Sequence, residues 1–178
     1  MIETVPHIRV ATRGDAVSIE DLVVRALAEY HQADPVMHEG YLRYSMEPEH
    51  AIGAEQLVAE LDGRIVGSVL FDRRVQNRPG WPDSVSTFGT LAVDPTIRRR
   101  RIGARLVEAC IDRAMESGAT GVIIETMPFM QAGLEFYGPF GFERWEPGDW
   151  DGTDIVRSLV GKPDVPETIL SAWRLDFD

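Results

Sequence analysis

The spacing of apolar residues changes along this chain, and the changes mark its elements. Ile8-Arg9-Val10-Ala11 is a short strand-like run that breaks at Gly14-Asp15, after which Ile19, Leu22, Val23, Ala26, Leu27 and Tyr30 recur at three- and four-residue spacing. A strand followed by an amphipathic helix is expected. Between Pro35 and Pro48, Met37, Tyr41, Leu42 and Tyr44 predict a short second helix. Residues 56–61 and 65–71 are β-rich and flank Asp62-Gly63, a pair suited to the type I′ turn of a hairpin.

A proline-rich loop over 77–83 separates this hairpin from a strand at 85–93, which Asp94-Pro95 closes because proline cannot donate to a ladder. From Ile102 to Met115 one helical face is apolar, and Ser117-Gly118 offers a C-terminal cap. Val122-Ile123-Ile124 has the wholly apolar character of a buried strand. A helical pattern follows at about 130–137, then a strand at 140–145, a turn-rich loop over 147–167 and an alternating strand at 168–177. Strand-helix-strand units run parallel and hairpins antiparallel, so the expected fold is α/β, with a mixed central β-sheet flanked by helices and a single domain over residues 1–178.

Composition narrows the function classes. Of 178 residues, 18 are Lys or Arg and 29 are Asp or Glu, a net charge of −11 that disfavours a general nucleic-acid binder. One cysteine, Cys110, allows no internal disulfide and no cysteine-rich metal site. The segment at the start lacks the basic flank and apolar core of a signal peptide, and no apolar run approaches the roughly 20 residues of a membrane span. A cytoplasmic protein with no membrane association is the expectation. His7, His31, His38 and His50 are scattered without metal-ligand spacing, so no metal is expected.

Positive charge is concentrated in one place. Arg98, Arg99, Arg100, Arg101 and Arg105 surround a predicted helix start at Ile102, and no acidic residue occurs between Thr96 and Val107. Unpaired N–H groups and the helix dipole make such a start a phosphate site.

Residues 91–106 resemble the acyl-CoA-binding motif of the GCN5-related N-acetyltransferase (GNAT) superfamily, Gln/Arg-x-x-Gly-x-Gly/Ala after a strand ending in Val-x-Pro. Arg98 fits the first position and Gly103 the last, while Arg101 stands where the family usually has glycine. Phe136-Tyr137-Gly138-Pro139-Phe140-Gly141-Phe142 is similar to the family's Phe/Leu-Tyr-x-x-x-Gly-Phe signature. The order of elements suits that fold over nearly the whole chain.

The resemblance implies acetyl-CoA, or a related acyl-CoA, as donor co-substrate. Leu91, Ala92, Val93, Arg98, Arg99, Arg100, Arg101, Ile102, Gly103 and Ala104 would bind it. The implied reaction is direct transfer to a primary amine of a small molecule, peptide or protein. Tyr137 occupies the family position of the acid that protonates CoA thiolate, and Glu125, twelve residues earlier, matches the base proposed for the ribosomal-protein alanine acetyltransferase branch. Met130 lies where many relatives carry an asparagine that contacts pantetheine. The departures at Arg101 and Met130 motivate a competing class, a non-catalytic CoA-binding sensor. Trp81, Trp145 and Trp150 with Asp83, Asp149 and Asp151 are candidates for an acceptor rim, and the alternating run from Ile169 to Phe177, taken as an edge strand, suggests a homodimer.

Overall fold

The computed structural model describes residues 5–46, 52–75, 78–97 and 100–177. Strands are β1 (His7–Val10), β2 (Glu55–Leu61), β3 (Arg64–Asp72), β4 (Val85–Val93), β5 (Gly121–Thr126), β6 (Glu143–Arg144), β7 (Trp150–Asp151) and β8 (Ile169–Asp176). Helices are α1 (Ala16–Leu27), α2 (Pro35–Met46), α3 (Ile102–Glu116) and α4 (Thr153–Val160). The strands lie in the order β1-β2-β3-β4-β5-β8-β6, with β7 also on β8. Among the described residues only β4 and β5 pair in parallel, as a strand-helix-strand unit requires.

Local sequence explains the regular elements. Asp62 and Gly63 both have positive φ, 51° and 75°, as the type I′ turn between β2 and β3 demands. Leu22, Val23, Ala26 and Leu27 form the buried stripe of α1, and Leu106, Val107, Cys110 and Ala114 that of α3. Helix α3 covers one sheet face with Phe71, Phe88, Val122, Ile124 and Phe142 beneath it. The other face carries α1 over Ala92, and α2 and α4 around Met37, Val156, Val160 and Leu170.

Four expectations for the second half change. The helix expected at 130–137 is a 3₁₀ segment over Pro128–Phe136, and the strand expected at 140–145 contracts to β6. The loop at 147–167 contains β7 and α4. Val156 and Val160 lie one turn apart on the buried side of α4, and Asp151 Oδ1 accepts from Thr153 N–H at 2.9 Å, so the helix signal was present but only eight residues long. Finally, β8 is not an edge strand. It pairs with β5 along one side, while β6, β7, the Trp145 N–H and the Asp149 carboxylate cover the other. The surface on which a strand-mediated homodimer was expected is therefore already occupied.

Among the described residues no helix is long and apolar enough to cross a membrane. Close approach of α3 to β3 depends on Gly67, where an added Cβ would stand 2.8 Å from Ile102 Cγ2 and 2.9 Å from Leu106 Cδ1. Gly67→Ala should overpack this contact and lower stability by about 1–3 kcal/mol. Urea unfolding of the two proteins measures the difference, and an unchanged midpoint would contradict the packing account.

Candidate functional site

Strand β4 carries one residue more than β3 needs. Ser68 faces Ala92 but Leu70 faces Gly89, so two steps on β3 meet three on β4, and Thr90 takes a left-handed φ of 49°. This β-bulge strains a β-branched residue and turns the strand away from its neighbour. On its other side β4 pairs with β5 only through residues 85–87 against 121–123. Beyond that point the two strands separate while β5 continues along β8 to Thr126. Within the separated stretch, Ala92 is buried beneath α1, whereas Leu91 and Val93 pack toward the α3 side.

The start of α3 lies beside this opening. Arg101 has φ 55° and ψ 18°, the left-handed conformation, so an arginine adopts here the backbone for which glycine is usually selected. Arg105 N–H to Arg101 C=O, at 3.0 Å, is the bond that closes the first helical turn. The N–H groups of Ile102, Gly103 and Ala104 precede it and lie outside the helix ladder. At Gly103 a Cβ would meet Phe136 Cζ at 3.3 Å and Val93 Cγ2 at 3.5 Å, which ties the helix start to both strand and 3₁₀ segment. Buried Asp94 holds the preceding turn by accepting from Thr96 N–H at 2.9 Å, Thr96 Oγ1 at 2.7 Å and Arg25 at 3.1 Å.

The arginines do not act as one group. Arg98 and Arg99 lie outside the described residues, and Arg100 and Arg101 are exposed. Arg101 reaches Glu108 at 3.1 Å, and Arg105 donates to the Pro6 carbonyl at 3.2 Å, which anchors the chain entering β1.

Tyr137 follows the 3₁₀ segment on the α3 side of the sheet. Its half-buried ring packs against Phe136, Phe142 and Phe88, with centroids 5.1, 5.9 and 6.2 Å away. Burial pushes its phenol well above the ordinary tyrosine range, so the group keeps its proton at neutral pH. Cys110 is fully buried on the apolar face of α3, and burial likewise raises its thiol, as for an inert small hydrophobe.

On the opposite sheet face is a cavity of about 350 Å³, with Leu70, Asp72, Thr87, Gly89, Glu125 and Leu170 among its lining residues. The alternation of strand side chains presents these residues together. Helices α2 and α4 supply Tyr41, Tyr44, Ile155 and Leu159, and Met127, Met130 and Trp150 complete much of the wall. Burial raises the Tyr41 phenol to about 12.

Glu125 is bound on three sides within this wall. Oε2 accepts from Arg78 Nε and Trp150 Nε1, each at 2.8 Å, and Oε1 accepts from Arg78 Nη2 at 2.7 Å. Arg78 also donates to Tyr44 Oη at 2.9 Å and stacks 4.7 Å above Trp150. Burial lowers the guanidinium's pKa, but the hydrogen bonds and charge of Glu125 more than reverse this and hold it above its ordinary value. Sequence reasoning missed Arg78 and Tyr44. They come from a loop and a helix far from β5 in sequence, and no local pattern joins them.

The expected rim of tryptophans and aspartates does not assemble. Trp81 is buried with its Nε1–H on the Gly148 carbonyl at 2.8 Å, while Asp149 pairs with Arg144 and Asp151 accepts the Thr153 N–H at the start of α4. Trp150 alone of that group lines the cavity. His31 and His38 pack edge to face at 5.2 Å, and His50 lies outside the described residues. Among the described residues no group of three or more His, Cys, Asp or Glu could hold a metal ion.

Comparison with known proteins identifies the architecture. The family model described as the acetyltransferase (GNAT) family matches residues 18–142. No curated protein matches the chain. A GCN5-related N-acetyltransferase from Rhodopseudomonas palustris is similar at a TM-score of 0.70 and 14% identity, over 99% of each chain. A GNAT family acetyltransferase from Brucella melitensis in complex with acetyl-CoA has a TM-score of 0.60 and 24% identity, over 78% of this chain and 82% of that one. A ribosomal-protein-alanine N-acetyltransferase from Brucella melitensis has a TM-score of 0.63 and 19% identity, over 96% and 99%. At these identities the structural likeness speaks to the fold alone.

Two stability measurements test the local account. Arg101→Gly should raise stability by up to about 1 kcal/mol, because relief of the left-handed strain outweighs an exposed ion pair to Glu108. A fall in the urea midpoint would contradict it. Raising the pH should weaken the fold. Unfolded cysteine and tyrosine ionise near 9.0 and 10.0, whereas burial keeps Cys110, Tyr137 and Tyr41 protonated in the fold, Tyr41 to about 12. Their stabilisation is complete below the unfolded values and declines above them as the unfolded state releases protons first. The urea midpoint should therefore drop between about pH 8 and pH 10.5, and Tyr41→Phe should shrink the drop.

Proposed function

Since the chain belongs to the acetyltransferase (GNAT) family, we propose that it transfers the acetyl group of acetyl-CoA directly to a primary amine, with donor and acceptor bound together. The observation that carries this reading is the opening between β4 and β5, which has the α3 N-terminus and Tyr137 on one sheet face and the 350 Å³ cavity on the other. A donor and an acceptor can each approach the opening from its own side. The acetyl-CoA complex of the Brucella melitensis acetyltransferase supports the same choice of donor.

In this reading Arg98, Arg99, Arg100 and Arg101, with the amides of Ile102, Gly103 and Ala104, hold the pyrophosphate and the nucleotide phosphate. Leu91, Ala92 and Val93 flank the pantetheine arm and the thioester. The left-handed backbone at Arg101 answers one of the two departures that motivate a non-catalytic sensor, since an arginine adopts there a backbone usually left to glycine, and Met130 remains the other. The amine nitrogen attacks the thioester carbon, and backbone N–H groups around Leu91 stabilise the resulting oxyanion. As the C–S bond breaks, Tyr137 gives its proton to the leaving sulfur and is later reprotonated from solvent.

Glu125 serves the acceptor side. A carboxylate offers about four lone pairs, and the three hydrogen bonds from Arg78 and Trp150 leave one on Oε1 for the amine. That lone pair orients the amine and accepts the proton it sheds.

Calorimetry with acetyl-CoA and thiol release across an amine panel test the reading as a whole. Tyr137→Phe preserves the aromatic packing but removes the donated proton. It should lower kcat by at least ~10²-fold with nearly unchanged acetyl-CoA affinity. Single-turnover rates equal to wild type would show that Tyr137 is structural.

A further inference from the structure

We infer that the acceptor is a diamine: the reacting amine lies at Glu125 while a second amine, held protonated, pairs with Asp72. The inference rests on reading the cavity as the acceptor site. Among the described residues that line it, the charged side chains are Asp72, Arg78 and Glu125. Arg78 and Glu125 neutralise each other through two short hydrogen bonds. Asp72 accepts the Arg74 N–H at 3.0 Å and, among the described residues, has no ion pair. The cavity thus retains one negative charge.

This charge differs from one that simply attracts an amine. At attack the reacting nitrogen must be neutral, so it cannot balance Asp72 in the bound complex. A second cationic centre on the same acceptor can, and in a partly apolar enclosure an unbalanced carboxylate interacts with it more strongly than in water.

Register separates the two carboxylates. Asp72 pairs with Thr87 and Thr87 with Ile123, so Asp72 and Glu125 stand two strand spacings apart across the sheet and two residues apart along it. That places their Cα atoms roughly 12 Å from each other, before either side chain reaches inward. Glu125 borders the separated stretch of β4 and β5, where transfer would occur, and Asp72 is the more remote end. Thr87 and Gly89 of β4 lie between them on the sheet, and Leu70, Met127, Met130, Ile155 and Leu159 give the cavity apolar surface for methylenes beside the hydroxyls of Tyr41, Tyr44, Ser45, Thr87 and Thr90. A carboxylate-bearing acceptor would place a like charge near Asp72. An α,ω-diamine meets the charge, the separation and the apolar part of the lining together.

The test compares putrescine, cadaverine and their longer homologues with n-alkylamines of the same chain lengths, all with acetyl-CoA. One diamine length should exceed its matched monoamine by at least about tenfold in kcat/KM, mainly through KM. Asp72→Asn, which can still accept the Arg74 N–H, should collapse that ratio toward one. Asp72→Glu advances the carboxylate by one methylene and should shift the optimum to a shorter diamine, an effect that a purely structural Asp72 would not produce. Equal use of diamines and monoamines, or a ratio untouched by Asp72→Asn, overturns the inference while leaving acetyl transfer to amines intact. Absence of both acetyl-CoA binding and turnover overturns the functional reading and this inference with it.

Discussion

Strands β4 and β5 must run parallel where α3 joins them and must part where the extra residue of β4 turns its backbone aside at Thr90 and Leu91. A continuous sheet would satisfy more hydrogen bonds. The bulge instead leaves backbone groups beside an opening, at the cost of a β-branched residue in left-handed conformation. Everything assigned to the site is placed relative to this opening. The start of α3 follows the end of β4 after a short turn, Tyr137 packs on Phe88 at the point of separation, and the cavity lies across the sheet.

The turn that connects β4 to α3 resolves an apparent departure in the motif. Arginine at position 101 has the left-handed backbone for which glycine is usually selected. Asp94 fixes the preceding turn and Gly103 lets the helix start sit against Phe136 and Val93. The strain is local, whereas the packing around the helix start extends to β4 and the 3₁₀ segment.

On the cavity side, the same kind of distribution holds Glu125. Arg78 joins β5, α2 and β7 through Glu125, Tyr44 and the Trp150 ring. A partly buried ion pair is not by itself strong evidence of stability, because desolvation offsets its attraction. Its consequence here is geometric: it closes one wall of the cavity and leaves Asp72 as the carboxylate without an ion pair among the described lining residues.

Sequence alone determined the features that depend on neighbouring residues: the two-residue hairpin turn at Asp62-Gly63, the stripes of α1 and α3, the β4 strand, and the two motifs that pointed to the acetyltransferase (GNAT) family. These arise from periodicity and local backbone preference, which are written in consecutive residues. Helix α4 was missed because eight residues give too few turns for a persuasive pattern, and β8 was taken for an edge because its covering strands are two residues each. Tertiary structure alone decided that Trp81 is buried on the Gly148 carbonyl, that Arg78 clasps Glu125, and that Asp72 faces the same cavity. Each of those outcomes depends on strand register and on partners distant in sequence, and hydrogen-bond geometry between such partners exists only once the sheet has formed.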